Sequence, residues 1–199
     1  MGNKLYTIKK NEMPTTFTLL RHAQGTHNVN HFNKQSQYND PIYIDAELTQ
    51  EGMNQAVAAR NTLSKEFDAI YCSPLRRCRS TLLGVLPDSQ NRIVIVDDRL
   101  IEQPCGVNIC NKRFERNSVV ESCPPLWNVD NVSATNPFLI KSPDEDKKKI
   151  YNFTKEVRAK YPNGHVLIVA HCEWINRWSQ MFQMRHANLE NCEHMTVSL

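Results

Sequence analysis

The chain has 199 residues, 40% of them hydrophobic and 23% charged, which is ample for one domain with a full core. Its formal charge of +3 is too small to argue for nucleic acid or an anionic membrane surface, and no apolar run is long enough to cross a bilayer. The 7 cysteines are an odd number with no Cys-x-x-Cys pair, and no signal-peptide core follows Met1; reduced thiols and a cytoplasmic setting are expected.

Residues 1–15 are polar and are expected to form a loose lead-in. The run Phe17-Thr18-Leu19-Leu20 has the length and composition of a buried strand, and it stops in Arg21-His22-Ala23-Gln24-Gly25-Thr26-His27-Asn28. Open α/β sheets bind ligands outside the carboxyl ends of their strands, so the cation and imidazole stand where a site is expected. Arg21 offers planar paired donors that fit a phosphate, and His22 offers a neutral nitrogen able to attack phosphorus. Residues 29–45 read as a loop leaving that site. Thr49 is an N-cap, and the helix it opens places Met53, Ala56, Val57 and Leu63 on one face.

Ala69–Cys72 is a short strand, and Ser73-Pro74 reads as N-cap and first residue of the next helix. Arg76, Arg77 and Arg79 crowd its first turns, where cations are disfavoured unless an anion sits among them; the plain alternative is that all three splay into water. Ile93-Val94-Ile95-Val96 is a β-branched strand running into Asp97-Asp98, expected to be solvated, and then Glu102. Residues 103–141 are Pro-, Cys- and Asn-rich and read as an insertion arching over the strand ends, with Arg113 either facing solvent or meeting a substrate anion. Ser142-Pro143-Asp144-Glu145 is a capping box, followed by a helix whose Lys147-Lys148-Lys149 run faces water. Val166–Ala170 is the strongest strand signal and ends at His171, either a satisfied structural histidine or part of the site. Residues 174–184 form an amphipathic helix, and Met195–Leu199 a final edge strand.

Four segments in order resemble the histidine phosphatase superfamily, the phosphoglycerate mutase-like enzymes. Arg21, His22 and Asn28 match its R-H-G-x-T-x-x-N signature, with Ala23 and Gly25 in place of Gly and Thr. Asp45, Leu48, Thr49, Gly52, Gln55 and Ala56 match D-x-x-L-T-x-x-G-x-x-Q-A, read physically as cap and core. Ser73-Pro74-Leu75, Arg77 and Thr81 match S-P-L-x-R-x-x-Q-T, with Ser80 for Gln; His171 matches the second histidine motif, with Ala170 and Cys172 replacing its small neighbours. More weakly, Cys110-Asn111-Lys112-Arg113 resembles the C-D-K-R of some relatives.

The resemblance implies one α/β domain over residues 1–199: a three-layer sandwich with a mainly parallel sheet, helices on both faces and a small cap insertion at about 103–141. It implies a phosphomonoester hydrolase in which His22 is the nucleophile, Glu102 the proton donor, and Arg21, Arg77, Asn28 and His171 hold the phosphate. Gly25 and Arg113 are candidates for contact with the rest of the substrate. No cofactor or metal is expected, since two arginines already neutralise the phosphate, and activity should survive chelators. The expected partner is a small phosphorylated substrate or a phosphoprotein. A mutase sharing the same pocket ranks second, and a non-catalytic phospho-ligand binder third.

Overall fold

A computed structural model describes residues 14–29, 38–102, 104, 107–135, 137, 142–184 and 187–199. Most of the polar lead-in, His31, Gly106 and His186 lie outside these residues. Thr15 does not belong to a loose segment: it is fully buried and its backbone exchanges hydrogen bonds with Leu199.

Six strands form one sheet in the order β4-β3-β2-β5-β1-β6. Strand β1 (Thr16–Arg21) pairs in parallel with β5 (His165–Ala170), with Arg21 opposite Ala170. On the far side of β5 lies β2 (Ala69–Cys72), with Cys72 opposite Val169, and beside it β3 (Ile95–Asp97), with Val96 opposite Cys72. This register brings the carboxyl ends of four parallel strands nearly level, so Arg21-His22, Ser73 and His171 emerge at one edge. Strand β6 (His194–Ser198) closes the other side of β1 antiparallel.

Both faces of the sheet are covered, which explains the continuous apolar runs of β1 and β5. On one face Leu20, Cys72, Val96 and Val169 pack under α1 (Gln50–Ala58) and α2 (Arg76–Val85). On the other, Phe17, Leu19, Ile168 and Tyr71 meet α4 (Pro143–Lys160) and α5 (Cys172–Met181) through Phe153, Trp174 and Trp178. Each such aliphatic or aromatic side chain contributes about 1.5–3 kcal/mol on burial. The Ser142/Glu145 capping box starts α4 as expected, and Thr49 caps α1 by accepting from the Gly52 N–H at 2.9 Å.

Met53 and Val57 are each 51% exposed; the buried face of α1 is Gly52 and Ala56, whose small size lets the helix lie close to the His22 loop and to Gly84 of α2. Helix α2 starts at Arg76 with Leu75 as an uncapped N-cap, so Ser73 does not cap it. Residues 103–141 are more than a cap, because they contain α3 (Arg116–Glu121) and the polar edge strand β4 (Asn128–Asn131), which extends the sheet beside β3. Asp97 and Asp98 are buried: Asp97 holds Arg99 and Asn131, and Asp98 holds Arg113 and Ser133.

Candidate active site

The loop after β1 is fixed from several sides. The His22 N–H continues the ladder to Ala170 O at 3.0 Å. The Ala23 N–H donates to Thr81 Oγ1 at 2.9 Å, and the Gln24 N–H to Gln55 Oε1 at 2.9 Å. Thr49 donates to Gln24 through its backbone and its hydroxyl. A Cβ on Gly52 would run into the Gln24 carbonyl. The second motif is therefore a clamp on the His22 loop rather than cap and core alone.

His22 Nδ1 lies 2.7 Å from its neighbour's carbonyl, Ala23 O, an acceptor that places the ring proton on Nδ1 and leaves a lone pair on Nε2. Burial, and then the Arg77 guanidinium, hold the pKa of His22 well below 6.5. The ring is therefore neutral throughout the neutral pH range.

A cavity of about 260 Å³ opens over His22, and it is lined by Arg21, Asn28, Arg77 and Glu102 among others. Arg21 donates through one amino group to Leu189 O at 2.6 Å, and Arg77 to Cys110 O and Asn111 Oδ1, both at 2.9 Å. The Nε–H of each arginine is buried with no partner among the described residues. Two orphaned cationic donors beside a neutral imidazole are what an anion would satisfy. Asn28 uses its Oδ1 to hold the Gly25 N–H at 3.0 Å, and its side chain also hydrogen-bonds Tyr38.

Glu102, at the end of the segment following β3, lines the same cavity as the two arginines. Its carboxylate accepts from the Trp174 N–H at 3.0 Å and the Glu173 N–H at 3.4 Å, in the first turn of α5. His171, expected to hold the phosphate, is not among the residues lining the cavity: it is fully buried behind His22, the two rings edge to face at 5.1 Å. Its Nε2 pairs with Ser73 Oγ at 2.8 Å, which is why Ser73 is not spent on capping α2. Burial and Arg77 keep its pKa well below 6.5.

Two candidates for substrate contact do not reach the cavity wall. Arg113 is buried, with its guanidinium bonded to Asp98 at 2.9 and 3.1 Å and to the carbonyls of Ser133 and Thr135. Gly25 has room for no side chain because the His27 ring lies against it. Of the flanking arginines, Arg79 is buried and holds Pro74 O and Ser122, while Arg76 pairs with Glu47 at the surface.

Sequence reasoning missed His27, Tyr38, Asn108, Asn111 and Glu173, all of which line the cavity. His27 is 5% exposed and its pKa is lowered to about 2 by burial, Arg77 and Arg21. Only Asn111 had a signal, its place beside Cys110 in the weak C-D-K-R resemblance.

The sequence profile of the histidine phosphatase superfamily (branch 1) matches residues 17–199. The chain is 31% identical over 133 residues to a probable phosphoglycerate mutase of Arthroderma benhamiae, covering 55% of this chain and 39% of that protein. It is 32% identical over 161 residues to a putative phosphoserine phosphatase 2 of Hydrogenobacter thermophilus, covering 77% of this chain and 71% of that one. A crystal structure of phosphoglycerate mutase from Bacillus anthracis superimposes with a TM-score of 0.66 at 18% identity, over 94% of this chain and 89% of that one, a likeness of fold.

Proposed function

Because the chain belongs to the histidine phosphatase superfamily (branch 1), we propose that it is a phosphomonoester hydrolase working through a phosphohistidine on His22. The observation that carries this reading is the Nδ1–Ala23 O bond, which leaves Nε2 as the nucleophilic nitrogen in a cavity shared with two arginines whose Nε–H donors lack a partner among the described residues.

Arg21 and Arg77 draw in the phosphate dianion and spread its charge as the transition state forms. Asn28 adds a donor, and His171, set behind His22, holds that ring in line. His22 Nε2 attacks phosphorus and the P–O bond to the leaving group breaks. Glu102 gives its proton to the departing oxygen, which would otherwise leave as an alkoxide. A dianion placed beside Glu102 disfavours a second negative charge there, so substrate binding itself promotes the protonated carboxyl. In the second half, Glu102 takes a proton from water and the water oxygen attacks phosphorus. The P–N bond breaks, its electron pair returns to Nε2, and inorganic phosphate leaves. No metal enters either step.

A mutase would use the same pocket but return the phosphoryl group to a substrate before water arrives; the similarity to the Arthroderma protein favours keeping that reading second. The test is hydrolysis of an aryl phosphate in EDTA by the parent and by His22→Ala. Turnover in the parent, lost in the variant and blocked by vanadate, is the expected result. Equal turnover in both proteins, or abolition by EDTA, would overturn the proposal. Interconversion of phosphoglycerates outrunning their hydrolysis would favour the mutase.

A further inference from the structure

Resting on the hydrolase reading, we infer that His27 is a further phosphate-binding residue, an imidazole that donates its Nε2–H to a phosphoryl oxygen alongside Arg21 and Arg77.

The loop that carries His22 brings a second imidazole to the same cavity. Thr26–Asn28 form one 3-10 turn, pinned by the Thr26 N–H on Glu47 O at 2.9 Å and the Asn28 N–H on Gly25 O at 2.8 Å. The His27 ring lines the cavity with His22, Arg21 and Arg77, and it lies 5.7 Å from the His22 ring and 5.9 Å from Tyr38. Asn28, in the same wall, has its Oδ1 on the Gly25 N–H and its side chain on Tyr38 as well. A further donor beside the two arginines is what a phosphoryl group with several free oxygens would use.

The packing of the ring decides which nitrogen it offers. A Cβ on Gly25 would fall 2.7 Å from His27 Nδ1 and 2.8 Å from Cε1, so that edge of the ring is pressed against Gly25. Nδ1 is buried there without a hydrogen-bond partner, and the edge left for the cavity carries Nε2. An N–H aimed at the Gly25 Cα would meet no acceptor, whereas a bare nitrogen tolerates a C–H beside it; the proton belongs on Nε2. This is the reverse of His22, whose Nδ1 proton is held by Ala23 O. One ring turns a lone pair to phosphorus and the other an N–H to its oxygens. Burial, and then Arg77 and Arg21, bring the pKa of His27 down to about 2, so it serves as an uncharged donor rather than a third cation. Gly25 itself has φ −90° and ψ 161°, extended backbone open to any residue. Its lack of a side chain is demanded by the His27 ring, and the loss of the family's usual Thr at this position and the placement of His27 are one arrangement.

The test measures calorimetric affinity for inorganic phosphate, and kcat/KM for an aryl phosphate, in three variants. His27→Phe keeps a packed ring without an N–H, His27→Gln keeps an amide N–H near the place of Nε2, and Gly25→Ala pushes the ring aside. His27→Phe and Gly25→Ala should each weaken phosphate binding and lower kcat/KM roughly 10- to 100-fold, the loss of one hydrogen bond to a charged group. His27→Gln should stay within a few-fold of the parent, and the Gly25→Ala/His27→Phe double variant should be no worse than the poorer single one. Proton–nitrogen correlation spectra of the parent supply a readout that needs no variant: His27 should carry its proton on Nε2, and that signal should move on saturation with phosphate. Phosphate binding unchanged in His27→Phe, a loss in His27→Gln as large as in His27→Phe, or a His27 proton on Nδ1 would overturn the inference. Hydrolysis that needs His22 but ignores every His27 substitution would sink this inference alone. Phosphate binding that depends on His27 in a protein hydrolysing no phosphomonoester would instead sink the hydrolase reading alone.

Discussion

His22 Nδ1 and the carbonyl oxygen of Ala23 are 2.7 Å apart, a hydrogen bond between adjacent residues that fixes which ring nitrogen carries the proton. A backbone acceptor cannot be protonated, so the tautomer is set by the loop itself and needs no carboxylate partner. Alanine serves here because its carbonyl does the work. The substitution at Ala23 for the family's usual glycine leaves this contact in place.

Three buried imidazoles make the fold sensitive to acid. Burial and the neighbouring Arg77 lower the pKa values of His22, His27 and His171 below 6.5. Below that pH the unfolded chain takes up protons that the folded chain refuses, so stability is full above about pH 6.5 and falls as pH drops. Each histidine contributes up to about 1.4 kcal/mol per pH unit in that range. Thermal melts from pH 7.5 to 5 should show a steep fall in Tm, shallower in His27→Gln. A Tm flat across this range would contradict three neutral buried rings.

Ser73→Ala tests the support of His171. It removes the 2.8 Å partner of His171 Nε2 in a fully buried setting. The expected cost is about 1–3 kcal/mol of stability, with kcat falling more than KM rises because the ring behind His22 loses its anchor. Wild-type kcat and stability together would show that Ser73 is idle.

Gly52→Ala tests the clamp between α1 and the His22 loop. The added methyl would collide with the Gln24 carbonyl, a backbone atom held by Thr49. Overpacking of this kind costs about 1–3 kcal/mol, and the shift it forces two residues from His22 should depress kcat/KM well beyond the stability loss. Normal kinetics in the folded variant would show that the loop is not positioned from α1.

Arg113→Ala separates a structural arginine from a substrate ligand. It removes the countercharge of Asp98, which is 8% exposed and keeps only its bonds from Ser133, and frees the carbonyls of Ser133 and Thr135. Breaking such a pair costs about 3–5 kcal/mol, while KM for an aryl phosphate should stay unchanged in the protein that remains folded. Unaltered stability with a raised KM would return Arg113 to the substrate.

What the sequence makes legible follows the physics of each segment. β1, β2 and β5 are buried on both faces, so their apolar runs are unmistakable, and the α4 start has its cap, proline and acids in place. β4 is missed because Asn128, Asp130 and Asn131 are exposed on an edge and carry no apolar pattern. The inner face of α1 is misread because its contact is made by Gly52 and Ala56, small residues chosen for close approach, while the larger Met53 and Val57 face out. Ser73 looks like an N-cap because its real partner, His171, is 98 residues away. The same blindness to distant partners hides the Asp98–Arg113 pair. His27, Tyr38 and Glu173 reach the cavity only through the folding of their loops and helix ends, and they have no periodicity to betray them.

Trapping the intermediate shows whether His22 carries the phosphoryl group. The protein is mixed with a radiolabelled phosphomonoester, quenched in alkali within the first turnovers, and resolved by mass under denaturing conditions. A phosphohistidine at His22 leaves a label on the chain that survives base, is released by acid as expected of a P–N bond, and is absent from His22→Ala. Turnover without any labelled chain, or a label that is stable to acid or persists in His22→Ala, would contradict it.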